Sequence, residues 1–225
     1  MIEQIAQWDK ELLVALNGSS YPFLDGIMMA ITETSTWIPL YICLLYAIIR
    51  SNPWRSSLLI ISMAVLLVIL CDQFASGFCK PYFHRLRPSH SPDLVDVIDL
   101  VNGYRCGLYG FISSHASNTF GVSVFFMLLF RSRNVSLLLL LYACLASYSR
   151  IYLGVHYPLD ILMGTIWGVF CGFAVYVLYR WTTRKYPSLA GEVSQGALLF
   201  VPFYWIFALI CIFILVRGAL FTVSS

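Results

Sequence analysis

The sequence predicts an all-α integral membrane protein: a six-transmembrane-helix bundle with an N-terminal interfacial helix and a motif-bearing loop on its outer face. The first observation is composition. Of 225 residues, 60% are hydrophobic and only 11% are charged, whereas a soluble domain carries about 25% charged residues. That leaves too little polar surface to face water. The second is patterning. Apolar residues fall into runs of spanning length, and the polar ones collect in the gaps between them. The third is that no gap reads as a linker, so 1–225 is taken as a single membrane-embedded domain.

The N-terminal segment, residues 1–22, opens the chain. Ile2, Ile5, Trp8, Leu12 and Leu16 recur at helical spacing, with Glu3, Asp9, Lys10 and Glu11 between them. These charges are not those of a signal peptide. Such a helix lies in the membrane interface or packs on the bundle. Six spans follow, at about 24–50, 55–78, 115–131, 135–150, 157–180 and 197–217, each near the ~20 apolar residues a bilayer requires. Thr32-Glu33-Thr34-Ser35 interrupts the first, which therefore reads as a short helix followed by a shorter span. The longest loop, 79–114, is rich in Pro, Asp and Gly, and its Ser91-Pro92 and Asn102-Gly103 dipeptides mark turns.

Basic residues set the expected topology. Arg50, Arg55, Arg131, Arg133, Arg180, Arg184 and Lys185 share one face, opposed only by Glu192. Short loops rich in Lys and Arg stay in the cytoplasm. The 79–114 loop, the turn before the fifth span and all four histidines then face the other way. With six spans, both termini lie on that outer face as well.

Several classes are excluded at this stage. A net charge of +3 is too small for a nucleic-acid partner. The chain has neither a P-loop nor a dinucleotide fingerprint, and no Cys/His cluster has zinc-ligand spacing. No cofactor and no metal are expected. Cys43, Cys71, Cys144, Cys171 and Cys211 fall within apolar spans and read as packing residues. Cys79 and Cys106 lie in the outer loop region, where they are either bridged or free thiols.

Three short polar stretches carry the chemistry: Lys80 to Pro88 (KPYFHRLRP), Ser113 to His115 (SSH) and Ser149 to Asp160 (SRIYLGVHYPLD). Phosphoryl transfer asks a protein mainly for positioning and for positive charge around the equatorial oxygens. Lys80, Arg87 and Arg150 are fixed cations suited to that task, and Arg offers a planar fork for two oxygens. Their bland alternative is interfacial anchoring, which suits Arg50 and Arg131 better. Arg85 and Arg105 divide between phosphate and lipid headgroups. Ser113 precedes a helical run and reads as its N-cap, and a helix start is itself an anion site. His156 and Asp160 are i and i+4, so a carboxylate there accepts the Nδ1 proton and leaves Nε2 as a nucleophile. Asp160 lies just inside a span, where an unpaired charge costs ~3 kcal/mol, so it needs a partner. Asp72 is a structural acid that shares a helical face with Lys80 if that helix continues. His84 and His90 are loop residues without a role.

In order and spacing, these stretches resemble the motifs of the type-2 phosphatidic acid phosphatase superfamily, in its small bacterial membrane lipid phosphatase branch. Six residues separate Lys80 from Arg87-Pro88, and five separate Arg150 from His156. The family's middle motif, Pro-Ser-Gly-His, stands here as Ile112-Ser113-Ser114-His115. The resemblance implies that His156 attacks phosphorus to form a phosphohistidine. It implies that His115 protonates the leaving oxygen and then activates water. Lys80, Arg87, Ser113, Arg150 and a backbone N–H near Ser114 would hold the phosphorus. The expected substrate is a membrane lipid phosphate or diphosphate, with undecaprenyl diphosphate and lipid A phosphates ahead of phosphatidylglycerol phosphate and phosphatidic acid. The expected place is a bacterial inner membrane, with the site facing the periplasm. An anion transporter is disfavoured because the motifs sit at span ends. A phosphate-binding pseudoenzyme is disfavoured because both histidines and Asp160 are present.

Overall fold

The computed structural model describes residues 1–19, 21–191 and 200–224. Glu192 and the first residues of the sixth predicted span, 197–199, lie outside the described residues, as does the side chain of Ile2. Among the described residues the regular elements are helices, with a single isolated β-bridge between Leu86 and Tyr109.

Helix α1 covers Ile2–Leu16. Its Asp9 and Leu13 are buried, while Ile5, Trp8 and Leu12 are exposed. The helix therefore packs on the bundle by one face and leaves its apolar stripe outward. Helices α2 (Pro22–Thr32) and α3 (Ile38–Ser51) are joined by a 3-10 turn, Thr34–Trp37, and bent by 68°. The bend falls on the polar run that interrupts the first predicted span. Thr36 Oγ1 donates to the Ala30 carbonyl at 2.6 Å and Trp37 Nε1 to that of Ile31 at 2.8 Å. These bonds satisfy carbonyls that a broken helix leaves without partners.

Helix α4 (Trp54–Asp72) runs through a π-helical turn, Gln73–Cys79, into the short α5 (Lys80–Phe83). His84 ends it in the left-handed region, with φ of 47°. Helices α6 (Ser114–Phe130), α7 (Arg133–Tyr152), α8 (Pro158–Lys185) and α9 (Val201–Ser224) complete the order. Among the described residues, four helical stretches are long and apolar enough to cross a membrane, or five when the bent α2–α3 pair is one span. Helix α6 has 17 residues and falls short by length, at about 25 Å by its rise per residue.

Helices α6 and α8 form the most extensive pair. Gly164, Gly168 and Gly172 recur every four residues and form one stripe on α8. A Cβ at Gly164 would collide with the Ser113 carbonyl, one at Gly168 with that of Ser117, and one at Gly172 with that of Gly121. Small residues at this spacing let helix backbones touch. The close approach brings the start of α6 against the start of α8, where two of the three motifs meet. Below that contact, Trp37, Phe125, Phe130, Tyr142 and Phe207 fill the main core, and the Tyr41 and Tyr142 hydroxyls are hydrogen-bonded.

Candidate active site

The motif ends of α5, α6, α7 and α8 converge, and the intervening loop is tied down beside them. Arg87 N–H donates to the Leu108 carbonyl at 3.0 Å and Gly110 N–H to that of Arg85 at 2.9 Å. This short antiparallel pairing sets the Arg85–Arg87 stretch beside the chain that enters α6.

His156 is buried in the turn between α7 and α8. Its Nδ1 lies 3.3 Å from Asp160 Oδ2, and its Nε2 lies 2.7 Å from Arg87 Nη1. Arginine only donates. Nε2 is therefore the acceptor, and Nδ1 carries the proton directed at Asp160. Burial, and then the charges of Arg87, Arg150 and Lys80, hold the imidazole well below its ordinary pKa. The ring is thus neutral, with its lone pair on the side of the cations. Asp160 is also fully buried; it accepts from the Tyr157 N–H at 3.2 Å and from Arg85 Nη1 at 2.7 Å.

The cations sit around this dyad. Lys80 Nζ donates to Ser76 Oγ at 2.9 Å and Ser114 Oγ at 3.0 Å, and Ser76 in turn donates to Asp72 Oδ1 at 3.2 Å. The helix does continue from Asp72 to Lys80, so the two share a face through Ser76. Arg87 is further pinned by the Tyr109 and Val155 carbonyls, at 3.1 and 3.0 Å. Arg150 is buried and donates to Thr32 Oγ1, to the Tyr104 hydroxyl at 3.1 Å and to Cys106 Sγ at 3.0 Å. Ser113 caps α6, its Oγ accepting from Ala116 N–H at 3.3 Å. His115 follows on the first turn; its buried Nε2 and the buried Nε of Arg150 have no hydrogen-bond partner among the described residues.

All the residues expected at the site are therefore brought together: Lys80, Arg87, Ser113, Ser114, His115, Arg150, His156 and Asp160. Of the two states left open for Cys79 and Cys106, bridged or free, the structure has the free thiols. Cys79 packs with Ala75 and Ile112, whereas Cys106 turns to Arg150. Burial raises the pKa of the Cys106 thiol, but Arg150, Tyr104 and Arg87 outweigh this and bring it below its ordinary range. Arg85 bridges Asp160 and Asp9 and stacks 4.1 Å over the Tyr157 ring. Burial disfavours its charge, yet Asp160 and Asp9 outweigh that and raise its pKa. Arg105 is exposed.

Sequence reasoning missed Gly110. A Cβ there would stand 2.9 Å from Asp160 Oδ2 and 3.2 Å from Arg87 Cγ. A glycine four residues before Ser114, at the end of a motif-bearing loop, is the signal for such a close approach.

The PAP2 superfamily model matches residues 58–184, a stretch that holds all three motifs. The chain belongs to the PAP2 superfamily. Among curated relatives, it is 36% identical over 200 residues to the lipid A 4'-phosphatase of Porphyromonas gingivalis, covering 87% of this chain and 85% of that one. It is 37% identical over 198 residues to the lipid A 4'-phosphatase of Bacteroides thetaiotaomicron, covering 88% of each. It is 27% identical over 179 residues to the undecaprenyl-diphosphatase of Sulfolobus acidocaldarius, covering 76% of this chain and 78% of that one. The crystal structure of Aquifex aeolicus LpxE aligns with a TM-score of 0.49 at 26% identity, covering 73% of this chain and 92% of that one. As a PAP2 superfamily member with these relatives, the protein is a membrane-embedded phosphatase.

Proposed function

We propose that this PAP2 enzyme hydrolyses a phosphate monoester of lipid A at the periplasmic face of a bacterial inner membrane. The observation that carries the chemistry is the arrangement at His156: proton to Asp160, lone pair toward Arg87, and Lys80 and Arg150 close by. His156 Nε2 attacks phosphorus as the bond to the lipid oxygen breaks, and His115 gives that oxygen its proton. His115 then takes a proton from water, whose oxygen displaces His156 and releases phosphate. Lys80, Arg87, Arg150, Ser113 and the backbone N–H near Ser114 hold the equatorial oxygens through the pentacoordinate stage. These cations stand where other phosphotransferases place magnesium, so no metal is required.

Lipid A is favoured over the other lipids because both relatives above 30% identity are named for it and align over most of the chain. A cavity of about 550 Å³ supports a lipid rather than a soluble ester. Its lining includes His115 and Asn118 together with apolar residues such as Trp37, Val65, Ile69 and Phe126. In this reading the bent α2–α3 pair and α6 are also spans, giving six. The outward stripe of Ile5, Trp8 and Leu12 rests in the membrane interface.

The test is phosphate release from lipid A, undecaprenyl diphosphate, phosphatidylglycerol phosphate and phosphatidic acid by purified protein in excess EDTA. Turnover of lipid A without added metal is expected; activity only with Mg²⁺, or only on another lipid, overturns the proposal. Orientation is read from single cysteines at Asn102 and Ser188, both exposed, in a background lacking the native loop thiols. An impermeant thiol reagent on intact cells is expected to label Asn102→Cys and spare Ser188→Cys.

A further inference from the structure

A chain of charges that starts outside the three motifs, at Asp9, leads into the site through the half-buried Arg85. Asp9 lies on α1 and is buried. Its Oδ2 accepts from Arg85 Nη2 at 2.6 Å and its Oδ1 from the Leu159 N–H, at the start of α8, at 2.8 Å. The other end of the same guanidinium, Nη1, reaches Asp160 Oδ1 at 2.7 Å. That leaves Asp160 Oδ2 for His156 Nδ1. Arg85 is thus a two-ended fork between two carboxylates, one of which holds the imidazole.

We propose that Arg85 and Asp9 are positioning residues for the reaction: Asp9 fixes Arg85, and Arg85 fixes the Asp160 carboxylate in the rotamer that orients His156. This rests on His156 being the nucleophile. The physical need is plain. Asp160 is fully buried, and a buried carboxylate without a counter-charge is costly. Arg85 supplies that charge without approaching the lone pair on Nε2. Asp9 balances the second half of the fork and anchors it to the N-terminus of α8, the helix that carries Asp160. A planar guanidinium held at both ends has little freedom to turn. The N-terminal helix becomes part of the catalytic apparatus through this one side chain.

A positioning role and a phosphate-binding role for Arg85 differ in which kinetic constant moves. Para-nitrophenyl phosphate is the kinetic substrate, because its good leaving group needs little protonation and it makes no demand on lipid recognition. Arg85→Met is expected to lower kcat by about 10- to 100-fold, the usual size for loss of an outer supporting partner, with KM and vanadate inhibition within about twofold of wild type. Arg85→Lys, which keeps the charge but not the fork, is expected to recover part of the loss. Asp9→Asn is expected to lower kcat by less than Arg85→Met does. If Arg85 acts through Asp160, adding Arg85→Met to Asp160→Asn costs no further activity. A rise in KM or a weakening of vanadate that matches the kcat loss makes Arg85 a phosphate ligand and overturns the proposal. So does a double variant whose losses multiply. Should Arg85→Met fail to fold, Asp9→Asn and Arg85→Lys in the Asp160→Asn background carry the same two outcomes. Lipid A is run beside the small ester: wild-type turnover of the ester but not of lipid A sinks the substrate assignment and leaves the relay standing.

Discussion

The two histidines at the site are held in opposite ways. His156 has every polar atom engaged: Nδ1 faces Asp160 and Nε2 faces Arg87, and behind Asp160 stand Arg85 and Asp9. His115, in the first turn of α6, leaves its buried Nε2 without a partner among the described residues. The difference suits two kinds of work. A nucleophile gains from a fixed tautomer and a fixed line of attack. A group that gives a proton to one oxygen and takes one from another gains from having no competing bond. In the proposed mechanism, preorganisation is concentrated on the side where the covalent bond would form.

The sharpest way to break this contrast is to remove each ring in turn. His156→Ala is expected to abolish turnover and to leave no phosphoenzyme. His115→Ala is expected to be phosphorylated by an ester with a good leaving group and then to stall, because no base activates water. Rapid quench with ³²P-labelled substrate reads both. Label trapped on the His156→Ala protein, or near-normal turnover by it, places the nucleophile elsewhere.

Asp160→Asn tests the held side more finely. The amide keeps the shape but has one acceptor oxygen for two donors, Arg85 and Nδ1; where Arg85 takes that oxygen, the NH₂ faces Nδ1 and the proton that marks the tautomer loses its acceptor. Turnover is expected to fall on the order of 10⁴-fold, as in the analogous serine-triad change. A loss below about tenfold, measured under single-turnover conditions, would mean that Arg87 and burial alone orient the ring.

Much of the held side was legible in the sequence, and the reason is locality. His156 and Asp160 are one helical turn apart, and Ser113 stands where a cap must stand, so short-range rules suffice. Lys80 and Arg87 are separated by a fixed number of residues within one motif. Asp9 and Arg85 were not legible as partners, since only the folded chain brings residue 9 to residue 159. The Thr32 contact of Arg150 is of the same kind, across 118 positions. The bend between α2 and α3 was foreshadowed by its polar run, but not its angle. The glycine stripe of α8 was passed over because, by hydropathy, glycines in a span read as filler.

That stripe offers an intermediate perturbation, because it sets the distance between α6, which carries His115, and α8, whose start follows His156. A Cβ at Gly168 already meets the Ser117 carbonyl and comes 3.0 Å from Gly121 N. Gly168→Leu therefore has to push α6 from α8. Overpacking of this sort costs about 1–3 kcal/mol, read as a lower unfolding temperature in detergent. Activity is expected to fall with both histidines intact, since His115 moves with α6 and His156 with α8. Unchanged stability and activity would show that the contact does not set the site's width.

The smallest effect concerns the charge around the held ring. His156 faces Asp160, Arg87, Arg150, Lys80 and His115, and its pKa is depressed by burial first and by the cations second. A protonated imidazole has no lone pair, so with His156 as the proposed nucleophile turnover is expected to fail as pH falls through the His156 pKa. Replacing Arg150 by Gln removes one of the charges that oppose protonation. The His156 pKa then rises toward its ordinary value, and the acid limb of kcat/KM moves to higher pH. Burial and two cations remain, so the shift is expected to stay below about one pH unit, equivalent to 1.36 kcal/mol. The position of the limb is independent of the lower plateau that follows from losing a phosphate-binding cation, so the two consequences separate in one titration with para-nitrophenyl phosphate. A limb that stays in place while the plateau falls assigns the titration to another group and leaves Arg150 a role in binding alone.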